Sequence, residues 1–226
     1  AGDVGRWVSL VISESGTEHI FYPDLTTKPN FKHAWRDETG WHFETYDPLN
    51  DPISGGSVAK AVVMADESLH VLYALPSTCG INVCTSIRYA TKVGSTWQDE
   101  EVTSYSYSTG SLTDFVIAIS QEGVPSISYQ YWNGSPYGNG VLYVWTKGTS
   151  DWTSQTLPQN NHMTSMEMDA QGNTHATIFY CNYQYCNTQY AYRPASTPSG
   201  SYTVSGSVHV TGGKPLPGVR LSDGQG

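Results

Sequence analysis

Trp41, Trp97 and Trp152 each open a short run of alternating apolar and polar residues, and they lie 56 and 55 residues apart. A fixed period of this length is a severe constraint, because one supersecondary unit must serve several times over. The rest of the chain keeps the same beat. Runs with a two-residue period, bounded by Gly, Asn or Asp, cover 8–12, 19–22, 31–35 and 41–46, then 59–64, 69–75, 86–91 and 97–102. They recur at 115–119, 126–131, 141–146 and 152–157, then at 165–168, 175–179, 189–192 and, more weakly, near 202–205. A period of two marks strands, and no 3.6-residue apolar stripe marks a helix.

The units also agree residue by residue. His19, His70 and His175 share one position of the second strand, with Ser126 in the third unit. Three residues on stand Tyr22, Tyr73, Tyr129 and Ile178, and the third strand carries His33-Ala34, Tyr89-Ala90, Tyr143-Val144 and Tyr190-Ala191. Four strands per unit of roughly 50 residues is the pattern of propeller blades. The expected fold is therefore all-β: a β-propeller over 1–198, with blades at about 7–50, 57–105, 113–158 and 163–205. Each sheet would be buried between neighbours, with large rings such as the tryptophans near the outside, where blades diverge. Small residues such as Ala59, Ala61, Ala118 and Ser165 suit the first strand, near the axis.

Charged residues are only 14% of the 226, which speaks against a coiled coil or a disordered acidic tail. The longest apolar runs are far shorter than the roughly 20 residues a membrane helix needs, so no membrane insertion is expected. A net charge of −9 disfavours a nucleic-acid partner. Cys79/Cys84 and Cys181/Cys186 both have the spacing C-x4-C. Structural zinc pairs usually form C-x2-C knuckles, and no His stands at companion spacing, so two small-loop disulfides fit better. Disulfides imply an oxidising compartment, hence a secreted or cell-surface protein. Asn133-Gly134-Ser135 matches the glycosylation triplet, a short pattern that arises often by chance. No signal peptide stands at Ala1, in keeping with a mature or trimmed N-terminus.

After Pro198-Ser199-Gly200 the pattern changes. Val204-Ser205-Gly206-Ser207-Val208, followed by Gly213-Lys214-Pro215-Leu216-Pro217-Gly218-Val219, resembles the opening strands of the carboxypeptidase-regulatory-like family. That resemblance implies a linker and an incomplete Ig/transthyretin-like sandwich over 199–226, within a longer polypeptide. A competing reading makes 202–210 the outer strand of the fourth blade. The four units themselves resemble secreted bacterial propellers of the sialidase-like, Asp-box superfamily. The turns Asp37-Glu38-Thr39-Gly40-Trp41, Gly94-Ser95-Thr96-Trp97 and Gly148-Thr149-Ser150-Asp151-Trp152 keep parts of the S-x-D-x-G-x-x-W pattern.

Sialidase chemistry would need three arginines converging near the axis. Arg36 and Arg193 share a repeat position with Lys92, read here as a solvated rim, and Arg220 lies in the tail. Asp66 and Asp169 are explained by turn chemistry, which leaves Asp114 alone as an acid, and one acid does not make a glycosidase. The repeated His19, His70 and His175 read as structural hydrogen-bonding groups, and no metal site is expected of them, because ligands must converge on one ion. Asp47, Asn50 and Asp51 could hold Ca²⁺ only as a sparse oxygen set, and no cofactor is expected.

The loops 23–30, 76–85, 132–140 and 181–188 share one end of the sheets, the end that usually binds ligands. Trp132, Asn133, Tyr137, Asn139, Asn182, Tyr183 and Tyr185 there mix aromatic platforms with amides, which suits glycan or protein contact. The expected function is a non-catalytic extracellular binding or surface-interaction module whose disulfide-braced loop face meets a glycan or protein. The alternatives are a structural subunit of an extracellular filament or surface layer, self-associating through its terminal strands, and a fragment of a secreted carbohydrate-active enzyme.

Overall fold

The structure is a computed structural model and describes residues 8–24, 26, 30–46, 59–79, 82–106, 111–132, 141–157, 161–181, 186–195 and 203–208. The first sheet comprises β1 (Ser9–Ile12), β2 (Glu18–Asp24), β3 (Asn30–Asp37) and β4 (Gly40–Tyr46). The second has β5 (Ala59–Val63), β6 (Leu69–Cys79), β7 (Asn82–Val93) and β8 (Thr96–Ser106). β9 (Ser111–Ile119), β10 (Pro125–Trp132), β11 (Val141–Lys147) and β12 (Trp152–Leu157) form the third. The fourth contains β13 (Asn161–Met168), β14 (Thr174–Cys181), β15 (Cys186–Arg193) and β16 (Thr203–Val208). Every sheet is an antiparallel meander with its strands in chain order. The fold is all-β, and the strands fall where the repeat places them.

The sheets pack face to face in sequence, β1 against β5, β5 against β9 and β9 against β13. We call the face of a sheet turned to its predecessor the rear face and the other the forward face. Three apolar seams result. Phe21 and Phe31 of the first sheet meet Leu69, Val71 and Tyr73 of the second. Leu72, Ile87 and Tyr89 of the second meet Phe115, Ile127 and Tyr129 of the third. Leu142 and Val144 of the third meet Met166, Ile178 and Ala191 of the fourth. Burial on both faces of the second and third sheets explains why their strands tolerate apolar residues on either side.

The turns between first and second strands share one geometry. Ser13 N donates to Thr17 O and Gly16 N to Ser13 O, and the same pair of bonds closes Met64–Ser68, Ser120–Val124 and Asp169–Asn173. The fourth residue of each turn has positive φ: Gly16 at 86°, Gly123 at 78°, Gly172 at 79°, and Glu67 at 64°. Three units use the residue that adopts this conformation without cost, and the second does not.

Two expectations are corrected, and one of two competing readings of the fourth sheet accords with the strand pairing. The stretch 76–85 is mostly strand, since Cys79 pairs with Asn82 and Ser77 with Cys84 across a tight hairpin. Pairing the backbone groups satisfies donors and acceptors that an open loop would leave to water. Thr203–Val208 pairs with β15 and completes the fourth sheet, while residues 209–226 lie outside the described residues. Finally, the cation position of the third strand is a solvated rim at Arg36, 57% exposed, but not in the other three sheets. Lys92 Nζ donates to Glu44 Oε1 of the preceding sheet at 2.5 Å, Lys147 donates to Glu100, and Arg193 reaches Ser126 and Thr146. The wedge between two sheets is where a long cationic side chain can lay its stem on apolar surface and still find an acceptor.

Candidate functional site

Each repeated histidine is held across its sheet to the third strand. His70 Nδ1 accepts from the Tyr89 hydroxyl at 2.5 Å and His175 Nδ1 from the Tyr190 hydroxyl at 2.7 Å. Their other ring nitrogens turn to the preceding turn. His175 Nε2 donates to Asp169 Oδ2 at 3.2 Å, and His70 Nε2 donates to Ser68 Oγ at 3.1 Å, whose hydroxyl donates to Asp66. The acceptor-only carboxylates fix these proton positions. In the third unit Ser126 replaces the histidine, and the Arg193 guanidinium of the next sheet donates into the space at 3.1 Å. All three histidines thus bond to the third strand of their own sheet, His19 through His33. Among the described residues no cluster of three or more His, Cys, Asp or Glu could hold a metal ion.

The first unit departs from this scheme and gathers His19, His33, Glu44 and Lys92 into one network. His33 stands where the other units have Tyr. Its Nδ1–H donates to Glu44 Oε1 at 2.7 Å, and its Nε2 accepts from His19 Nδ1–H at 3.0 Å. Glu44 also accepts from Lys92 Nζ at 2.5 Å and from Trp97 Nε1 at 3.1 Å. Lys92 lies 5.0 Å above the Trp35 ring, itself stacked between His33 and His42. Burial lowers the His33 pKa from 6.5 to about 4, against the pull of Glu44 and with the help of Lys92. Burial lowers His19 and His70 as well. Burial pushes the Glu44 carboxyl up, but bonds from Lys92, His33 and Trp97 outweigh it and hold the group below its ordinary value. Asp37 falls to about 2 through bonds from Thr39 and His42.

A cleft of about 610 Å³ opens over this network between the first and second sheets, walled by Thr17, His19, Trp35, Asp37, Glu44, Asp66, Glu67, Lys92 and Ser95. A second, of about 560 Å³, opens between the third and fourth sheets beside Glu122, Lys147, Gln171 and Arg193. Both lie at the end of the sheets formed by the short turns, opposite the long loops. Glu67 overhangs the first cleft from its left-handed turn, and its Oε1 accepts from Ser15 N at 3.3 Å. Sequence reasoning passed over Glu67, though aligning it with Gly16, Gly123 and Gly172 exposes it as the exception.

The expected loop-face residues fare differently. Trp132 ends β10, where its backbone pairs with Ser111. Asn133, Tyr137, Asn139, Asn182, Tyr183 and Tyr185 lie outside the described residues, as do Asp47, Asn50 and Asp51. The backbone of Asp114 lies within β9. Cys84 is buried and disulfide-bonded. Cys79 ends β6, and Cys181 and Cys186 face each other in the backbone register.

No known family's sequence pattern matches the chain, and no curated protein does. Solved structures do resemble it. A Hadza microbial sialidase aligns with 82% of this chain and 44% of its own, at 12% identity and a TM-score of 0.50. An ulvan lyase of polysaccharide lyase family 25 aligns with 87% of this chain and 56% of its own, at 15% identity and a TM-score of 0.49. A Penicillium chrysogenum α-L-arabinanase complexed with arabinobiose aligns with 88% of this chain and 80% of its own, at 9% identity and a TM-score of 0.36. The chain spans about half the length of the sialidase and the lyase. At 12% identity the likeness to the sialidase is one of fold alone, and it agrees with an all-β chain of successive antiparallel sheets.

Proposed function

We propose that the protein is a non-catalytic extracellular module whose four sheets are propeller blades and whose cleft between the first two binds a neutral glycan. Glu67 carries this reading. A non-glycine residue held in the left-handed region costs about 1 kcal/mol, and such strain collects where a side chain is needed for something other than folding. Here it aims a carboxylate over an open cleft beside Asp66 and Asp37, and carboxylates accept paired hydrogen bonds from sugar hydroxyls. The acidic wall and the overall charge of −9 disfavour anionic ligands. His33, whose pKa burial lowers to about 4, is only 2% exposed at its side chain, which favours a structural role over contact with a substrate. The disulfide at Cys84 supports an oxidising compartment, and Cys79–Cys84 and Cys181–Cys186 are the pairings we propose. Likeness in fold to a sialidase is in keeping with a sugar ligand.

The test is retention on immobilised neutral polysaccharides. Glu67→Gly, which restores the residue of the other three turns, is expected to keep the fold and weaken retention at least tenfold. Trp132→Ala with Tyr183→Ala asks the same of the loop face. Full retention by Glu67→Gly refutes the cleft, and loss in the loop variant alone moves the site to the opposite end. Release of reducing ends from the same polysaccharides would establish the enzyme-fragment alternative instead.

A further inference from the structure

The rear faces of the second, third and fourth sheets are built alike. At one second-strand position stand Val71, Ile127 and Ala176, and two residues on Tyr73, Tyr129 and Ile178, all of them no more than 3% exposed beneath the preceding sheet. Each face adds a cation at the end of its third strand, Lys92, Lys147 or Arg193, which bonds across the seam. The rear face of the first sheet carries the same set without a neighbour among the described residues. Ile20 and Tyr22 occupy the two apolar positions and are only half-buried. Leu10 is 58% exposed and Phe43 68%, with Ile12 and Trp41 beside them. Among the described residues Arg36, the equivalent of Lys92, pairs with Glu18 of its own sheet, at 3.8 Å.

The forward face of the fourth sheet has the converse gap. His19 and His70 are buried under the following sheet, whereas the His175 side chain is 37% exposed. Phe179, at 37%, and the half-buried Tyr190 and Tyr192 surround it. Among the described residues the main packing between sheets joins consecutive neighbours, and both of these outer faces are left exposed. Exposed apolar area of this kind, continuous with three buried seams of the same design, is an interface awaiting its other half.

We propose that two copies of the chain dock head to tail, the forward face of one copy's fourth sheet on the rear face of the other's first sheet. The contact is heterologous and repeats the internal seams. With two such contacts the pair closes, and with one it propagates.

Sedimentation equilibrium of the whole chain tests this. The wild type is expected at twice the chain mass of 24.7 kDa or above. Phe43→Asp and Phe179→Asp, both changes of exposed side chains, should each sediment as monomer, with the strand circular dichroism of the wild type as a control on folding. Mixing the two variants should restore a dimer, because each supplies the face the other has lost. A wild-type monomer overturns the proposal, and so does a dimer that survives either change. A mixture that stays monomeric overturns the head-to-tail geometry.

Discussion

Acid should weaken this fold through one imidazole. In the unfolded chain His33 takes up a proton near 6.5, but in the folded chain only near about 4. Between those values the unfolded state binds more protons, so its share grows as the pH falls. The stabilisation is complete above 6.5 and gone below about 4, and its size over that span is about 3 kcal/mol. His33 is almost wholly buried, so solvent screens little of this, and the lowered His19 and His70 add to it with the same sign. Asp37 and Asp169, held near 2, lose their contribution below the window and do not confuse it. Urea unfolding midpoints across the window measure the effect, and His33→Tyr isolates it. Tyrosine stands at this position as Tyr89, Tyr143 and Tyr190, and an introduced phenol, with an ordinary pKa of about 10, changes no charge in this window. The variant should lose most of the pH slope. A slope unchanged in His33→Tyr, or a wild type that gains stability as pH falls, would refute the assignment.

Lys92→Met should cost about 2 kcal/mol in urea unfolding, because Glu44 keeps its half-buried charge and loses its cation. Cost should fall when Glu44→Gln accompanies it. Glu67→Gly should raise the unfolding free energy by about 1 kcal/mol, the reverse of an ordinary surface substitution, by relieving the left-handed φ of 64°. Reduction with dithiothreitol should lower stability by about 2 kcal/mol for each short disulfide-closed loop, Cys84→Ser should remove only the share that belongs to its own loop, and Cys84→Ser with Cys181→Ser should make the protein insensitive to the reductant.

The order of strands was readable because alternation and period are set by local chemistry. A residue two along a strand returns to the same face, and a turn of fixed geometry must recur wherever the unit does. Trp97 and Trp152 pack into the seams, as their spacing implied. Trp41 does not, because the apolar pattern says that a face must be covered and not what covers it. The bonds across seams were not readable for a different reason. Lys92 and Glu44 are 48 residues apart, and their meeting depends on how two sheets stack, which no run of residues encodes. The same holds for Arg193, whose partner Ser126 looked in the sequence like a missing histidine and proved to be the space a guanidinium fills.

That exchange shows how function can enter a repeat without disturbing it. The second-strand position must be filled by a group that satisfies the third strand, and histidine does so in three units through Tyr89, Tyr190 or His33. Where the next sheet supplies the donor, a serine suffices. In the first unit both partners are histidines and the third strand also carries Trp35, so the seam collects Glu44 and Lys92 as well and opens into the larger cleft. Glu67 then departs from glycine in a turn that borders it, facing the Ser13–Thr17 turn of the first sheet. Departures on two different sheets, meeting at a single seam, are the pattern expected when a repeated scaffold has been modified at one place for a ligand, since loss of structural constraint alone would scatter them.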